Sequence, residues 1–367
     1  RYRGRGGAHE KPCGSEAQPI NLMTGAYFDQ FLDYELEGPI PLVWKRYYDS
    51  RWSARDGPLG WGFRHEYQFT LRPTLDGFDL VTNDNEVVPF PPLDGDEEAV
   101  ARDGLLLRRL ERPGWYAIEE DGQPAMVFQL GADGGPAPLQ ALRLGEHWME
   151  FRYEDDGRLA EICNSLGRSI RLLYDARGHI LQLTCREAAS GQERLLASYA
   201  YDPAGLLVRW RDALGHDSTY HYDANRRMTS RTNRRGYSFF NEYDSEGRCT
   251  REYGEDGLWD CRVEYLPEAH CAIATYADGA TTTVFYDENQ IPTEVIEPSR
   301  GRTIFEKDDQ GRIVREIDPL GNVTRWVYNG WGGHIGRVTP QGFFLPPMDV
   351  EPNPPDPLAY ELPETPL

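Results

Sequence analysis

From about residue 150 onward, apolar and polar positions alternate in short runs broken at regular intervals by Asp, Asn, Pro and Gly. Residues 307–328 show one complete unit. Ile313, Val314 and Ile317, then Val323, Thr324, Trp326, Val327 and Tyr328, are β-branched or aromatic and mixed with charges. That alternation predicts short strands with one covered face. Two turn signals frame them. Asp308-Asp309-Gln310-Gly311 places Gly311 where a left-handed residue is wanted, and Asp318-Pro319-Leu320-Gly321 sets Pro319 and Gly321 at turn positions. Each unit therefore predicts strand, turn, strand, turn.

The unit recurs. Its phase is marked by Tyr153, Tyr174, Tyr201, Tyr222, Tyr243, Tyr265, Tyr286, Lys307 and Tyr328, at spacings of 21, 27, 21, 21, 22, 21, 21 and 21. A glycine four residues after the mark (Gly157, Gly178, Gly205, Gly247, Gly311) and a second about 14 residues after it (such as Gly321) complete the pattern. A fixed period of this length predicts a repeat architecture held by nearest-neighbour contacts. About eight units give about sixteen short strands, too many for a flat sheet. The expected fold is all-β: an antiparallel repeat sheet curling into a spiral or partial shell, preceded by a smaller β-domain. The repeat tyrosines are expected to stack on one another. Lys307 is expected to pack its stem like a ring and carry its amine to solvent. The 27-residue interval implies a longer loop near Ala188–Glu193.

The rest of the chain has other textures. Residues 1–18 are rich in Gly and Arg and predict a linker from a preceding part. Residues 19–145 predict a separate β-domain, with an aromatic-rich turn at Gly57-Pro58-Leu59-Gly60-Trp61-Gly62. Repeats are expected over 146–342. The tail, 343–367, holds eight prolines and five acids with no Lys or Arg, which does not build a core by itself.

Composition narrows the function. The net charge is −21, the opposite of the basic footprint that nucleic-acid binding needs. The local cluster Arg226, Arg227, Arg231, Arg234 and Arg235 is expected to pair with acids such as Glu242 and Asp244. No apolar run approaches a membrane span. Six cysteines (Cys13, Cys163, Cys185, Cys249, Cys261, Cys271) form no Cys-x-x-Cys and are expected to be free thiols. Asp94, Asp96, Glu97, Glu98 and Asp103 crowd together without a calcium-loop spacing, and a solvated loop is expected. Cys261, His270 and Cys271 match no zinc pattern. His65, His147, His179, His216, His221 and His334 are scattered. Hydrolase, metalloprotease and phosphate-loop motifs are not found, so neither a catalytic residue, a cofactor nor a metal is assigned.

Several words of the sequence resemble the Rhs and YD-repeat family. Tyr201-Asp202-Pro203-Ala204-Gly205-Leu206, Tyr243-Asp244-Ser245-Glu246-Gly247-Arg248 and Asp318-Pro319-Leu320-Gly321-Asn322-Val323-Thr324-Arg325-Trp326 resemble its repeat. Pro19-Ile20-Asn21-Leu22-Met23-Thr24-Gly25, Pro41-Leu42 with Arg46-Tyr47-Tyr48-Asp49-Ser50, and Gly60-Trp61-Gly62 resemble the segment that precedes the repeats in bacterial members. The resemblance covers about residues 19–342. It implies a hollow β-shell around a C-terminal toxic cargo, delivered to competing cells by a type VI secretion system, often behind a PAAR/VgrG-type tip. On that reading the chain is a non-enzymatic wall segment, cytoplasmic before export. Its partners are the cargo or the remaining shell, not nucleic acid. Two departures stand out. Family shells are much longer, and the Asp-Pro words lack the order of the family's autoproteolytic aspartate region and are read as turns. The alternative expectation is a glycan- or protein-binding β-repeat module, with Trp210, Tyr220, Tyr237, Phe239 and Phe240 as stacking candidates.

Overall fold

A computed structural model describes residues 19–93, 99–102, 105–120, 122–131, 134–186, 193–328 and 334–345. The linker, the crowded acidic stretch, the long loop and nearly all of the proline-rich tail lie outside them. Among the described residues the regular structure is strand, with three short 3-10 turns. Three N-terminal strands, β1 (Phe28–Leu36), β2 (Leu42–Asp49) and β3 (Phe63–His65), form their own antiparallel sheet. Eight more follow: β4 (Thr70–Thr74), β5 (Gly77–Val81), β6 (Val87–Phe90), β7 (Ala99–Arg102), β8 (Leu105–Arg109), β9 (Trp115–Glu119), β10 (Ala125–Gln129) and β11 (Ala137–Leu144). The strand β11 serves three neighbours: it pairs with β10, Ala137 and Pro138 pair with β4, and Ala141–Leu144 pair with His147–Glu150.

That last pairing carries the sheet into the repeats. From His147–Tyr153 to Phe344–Leu345 each strand pairs antiparallel with the next, as a continuous meander. The repeat itself explains why. Most of the described turns are short hairpins, so consecutive strands lie side by side.

Both turns of a unit obey one rule. In the first kind, Asp223 Oδ1 accepts from the N–H groups of Asn225 and Arg227, at 2.8 and 2.9 Å. Asp202, Asp244 and Asp308 do the same two and four residues on. In the second kind, Asp212, Asn233 and Asp318 repeat the pattern. A side-chain oxygen thus satisfies two backbone donors that the tight turn strands. The fourth residue is left-handed: φ is +84° at Gly157, +90° at Gly178, +87° at Gly205, +88° at Gly247, +79° at Gly311 and +80° at Gly321. Only glycine adopts that conformation without steric cost. Arg226, Gln290 and Arg300 take the same place at φ +62°, +60° and +63°. Asp202 and Asp318, the two aspartates of the Asp-Pro words, are both turn residues of this kind.

Beside a small cluster of Leu110, Trp115, Ala117, Val127 and Ala141, one main hydrophobic core runs through the described residues. It joins Tyr27, Leu42, Trp44 and Tyr48 of the N-terminal unit to Phe128, Leu139, Ile162, Ile180, Leu207, Tyr220, Met228 and Val284. The N-terminal sheet is therefore the filling against which the repeat sheet buries one face.

Candidate functional site

The repeat tyrosines are structural. Tyr222 Oη donates to the carbonyl of Leu207 at 2.6 Å, Tyr243 to Met228 at 2.8 Å, Tyr265 to Cys249 at 2.7 Å and Tyr328 to Ile313 at 2.6 Å. Tyr153, Tyr174 and Tyr201 make the equivalent bond to Leu139, Leu159 and Ile180. Burial raises the phenols of Tyr153, Tyr174, Tyr201, Tyr222, Tyr243 and Tyr265 above their ordinary value, so they stay protonated and able to donate. Tyr286 keeps the register position and lies 6.0 Å from the His270 ring.

The expected ring-on-ring ladder takes a different form. An arginine from the preceding turn lies over the ring instead: Arg227 over Tyr243 at 4.8 Å, Arg248 over Tyr265 at 4.7 Å, and Arg312 over Tyr328 at 4.8 Å. Each of these arginines is also held by the aspartate of its own turn, Asp223, Asp244 or Asp308. Aspartate, arginine and tyrosine thus form one chain of contacts from unit to unit. The spacing of 21 residues keeps ring planes too far apart to stack, and the guanidinium fills the gap. At Lys307 the expectation fails. Its ammonium does not run to solvent but pairs with Asp287, the aspartate of the preceding unit. With no ring to receive a cation, the position supplies the cation itself.

The densest chemistry lies where the N-terminal unit meets the repeats. Arg46 on β2 and Asp33 on β1 form a two-pronged pair at 2.6 and 2.9 Å, each side chain 1 % exposed. Tyr199 Oη donates to Asp33 at 2.7 Å, and Arg46 donates to Tyr220 Oη at 3.1 Å. The rings of Phe31, Phe63, Tyr199, Trp210 and Tyr220 surround the guanidinium at 4.9–5.7 Å. Asp33 and the phenols hold Arg46 in its charged form. A second seam contact pairs Arg231 with Asp29 at 2.8 Å and with Tyr27 Oη at 3.2 Å. Glu252 is buried beside them, and burial pushes its carboxyl up to about 8, against the pull of Arg231 and with a push from Asp29.

The words that precede the repeats are docking words. Trp61 Nε1 donates to the carbonyl of Ala204 at 2.9 Å, and Arg226 lies over the Trp61 ring at 3.8 Å. A Cβ added to Gly60 would stand 2.4 Å from the Gly205 carbonyl oxygen, so the two backbones approach as only glycine permits. The Met228 N–H donates to Tyr48 Oη at 2.7 Å, the Cys249 N–H to the Gly25 carbonyl at 2.7 Å, and the Ile180 N–H to the Pro58 carbonyl at 2.7 Å. His179 is buried with its Nε2 3.1 Å from Asp56.

Other sequence candidates fall into place as structure. Trp210 and Tyr220 are buried, while Tyr237, Phe239 and Phe240 are half-buried. Of the arginine cluster, Arg227 pairs with Asp223, Arg231 with Asp29 and Arg234 with Asp212. The expected partners go elsewhere: Glu242 to Arg251 and Asp244 to Arg248. His65 is buried, stacked on Trp44 at 4.8 Å, and burial and the Arg64 charge drive it down to about 3. Cys163, Cys185, Cys249, Cys261 and Cys271 form no disulfide with one another. Burial pushes Cys163 up to about 11 and Cys249 higher still. Among the described residues no group of three or more His, Cys, Asp and Glu is placed to hold a metal, and no helix is long and apolar enough to cross a membrane.

A family model described as the RHS Repeat matches residues 201–238, and a domain of unknown function, DUF6531, matches residues 17–90. The chain is 26 % identical over 332 residues to the probable deoxyribonuclease RhsB of Dickeya dadantii, covering 88 % of this chain and 22 % of the relative. It is 27 % identical over 286 residues to the double-stranded DNA deaminase toxin A of Burkholderia cenocepacia, covering 75 % of this chain and 20 % of that one. The chain thus spans about a fifth of the length of these relatives. A solved structure of TcdB2-TccC3 without its hypervariable C-terminal region aligns over 88 % of this chain and 23 % of that one, at 11 % identity and a TM-score of 0.42. The molecule is an antiparallel β-repeat protein built on a docked N-terminal unit. Its repeat matches the RHS Repeat over residues 201–238, and its sequence resembles that of Rhs proteins.

Proposed function

We propose that this chain is a wall segment of an Rhs-type toxin shell, with residues 19–145 as the unit that precedes the repeats and 146–342 as the repeats. The observation that carries the reading is the meander itself. Most of the described hairpins repeat one turn rule, one face is buried on the N-terminal unit, and many polar groups join neighbouring strands. Relatives that share this region bear names with different chemistries, deoxyribonuclease and DNA deaminase. That supports a role for this part in holding rather than in reacting. The toxic chemistry then belongs to a cargo domain outside residues 19–342. Release from the producing cell through a type VI apparatus with a PAAR/VgrG-type tip, in competition between bacteria, extends the same reading.

The test is to produce the chain together with the sequence encoded after it and to challenge the product with protease. A cargo enclosed by the wall resists digestion while the wall is intact and becomes sensitive once the wall is unfolded. A cargo digested equally fast with and without the wall would overturn the proposal.

A further inference from the structure

The hairpin before Tyr265 departs from the repeat rule. The interval from Tyr243 to Tyr265 is 22 residues where its neighbours have 21, and the extra residue falls after Gly257. The hairpin leaves two non-glycine residues in the left-handed region, Asp256 at φ +58° and Trp259 at φ +53°. Such a conformation is unfavourable for an L-residue and persists only where the surroundings hold it. The outcome is an indole that is 65 % exposed beside Leu258 at 51 %. Trp259 stacks on Phe239 with centroids 5.9 Å apart and planes 7° apart, and Tyr237 meets it edge-on at 6.1 Å. This shelf continues the seam already described, because Arg231, which holds Asp29 and Tyr27, lies over the Phe239 ring at 4.1 Å.

The surroundings select the occupant. Two carboxylates, Glu255 and Asp256, stand in the same hairpin, and the whole chain is strongly acidic. Elsewhere this molecule joins its parts by setting an arginine on an aromatic face, as Arg226 does on Trp61 at 3.8 Å and Arg248 on Tyr265 at 4.7 Å. Trp259 is an aromatic face of that kind turned outward. We propose that the hairpin Gly254–Asp260 with Tyr237 and Phe239 is a docking site for a basic polypeptide segment, which places an arginine on Trp259 and is steadied by Glu255 and Asp256.

The test is fluorescence anisotropy of a labelled Gly-Arg-Gly-Arg-Gly-Arg-Gly peptide titrated with the full chain, beside the same peptide carrying neutral citrulline. Saturable binding of the arginine peptide alone is expected. Trp259→Ala should weaken it about tenfold, and the pair Glu255→Gln and Asp256→Asn should weaken it severalfold and flatten its salt dependence. Trp259 is exposed, so an unchanged urea midpoint will show that the Trp259→Ala protein is folded. Equal binding of the citrulline peptide, or binding untouched by Trp259→Ala, overturns the proposal. So does binding of chitotetraose that is lost in Trp259→Ala, which would assign the shelf to a glycan.

Discussion

Removing Asp33 puts the largest strain on the seam. The Asp33→Ala change leaves the Arg46 guanidinium inside five rings with its counter-ion gone, and both side chains are 1 % exposed in the native protein. Breaking a buried pair from one side costs about 3–5 kcal/mol, because the remaining charge has no water to turn to. Tyr199 also loses its acceptor, which adds about 1 kcal/mol. Against a domain stability of about 5–15 kcal/mol, the loss is a large share. Urea unfolding followed by tryptophan fluorescence measures it as a fall in midpoint at constant slope. The pair Asp33→Leu with Arg46→Met removes both charges and keeps the volume, so it should regain most of the loss. A fall below about 1 kcal/mol for Asp33→Ala, or a double variant no better than the single one, would refute the reasoning.

Other expectations follow from the turns, the tyrosines and Glu252. Gln290→Gly relieves a left-handed residue in an exposed turn and should raise stability by about 1 kcal/mol, read from the urea midpoint. Tyr222→Phe strips the donor from the Leu207 carbonyl and should cost about 1–2 kcal/mol, whereas the exposed His221→Ala should cost almost nothing in the same assay. Glu252 sits at about 8 when folded and in the ordinary glutamate range when unfolded, so folding takes up a proton between the two. Stability therefore falls as pH rises from about 4.5 to 8, by about 1.4 kcal/mol per unit for this group alone. Glu252→Gln should remove that slope and be more stable than the parent at neutral pH. A parallel pH profile for the two proteins would refute the assignment.

The repeats were legible in the sequence because their rules are local. Asp followed three residues later by Gly, and a tyrosine every 21 residues, state in words what hydrogen bonds state in space. Asp223 and its two N–H partners lie within four residues of each other. The seam was not legible, because its contacts join residues far apart without a period. Arg46 meets Tyr220 across 174 positions, and Met228 meets Tyr48 across 180. Nothing near Arg46 in the chain announces five rings and a carboxylate. The signals that existed were the glycines of Gly60-Trp61-Gly62, which mark a close backbone approach, and the single 22-residue interval, which marks Trp259. Lys307 was misread because its partner, Asp287, lies one unit back, where a repeat tyrosine's ring would have met an arginine.

The meander has its own kinetic consequence. Contacts within the wall reach back one strand or one unit, so the wall can grow by adding hairpins in order. The filling is different: Gly25, Tyr48, Pro58 and Trp61 find their partners only at residues 180–249. On a ribosome adding about 5–20 residues per second, those groups wait on the order of ten seconds or more for the strands that cover them. The N-terminal unit thus stands ready as a mould before the wall exists. Each new hairpin can be checked against it for register as it emerges, so that the order of synthesis becomes the order of assembly.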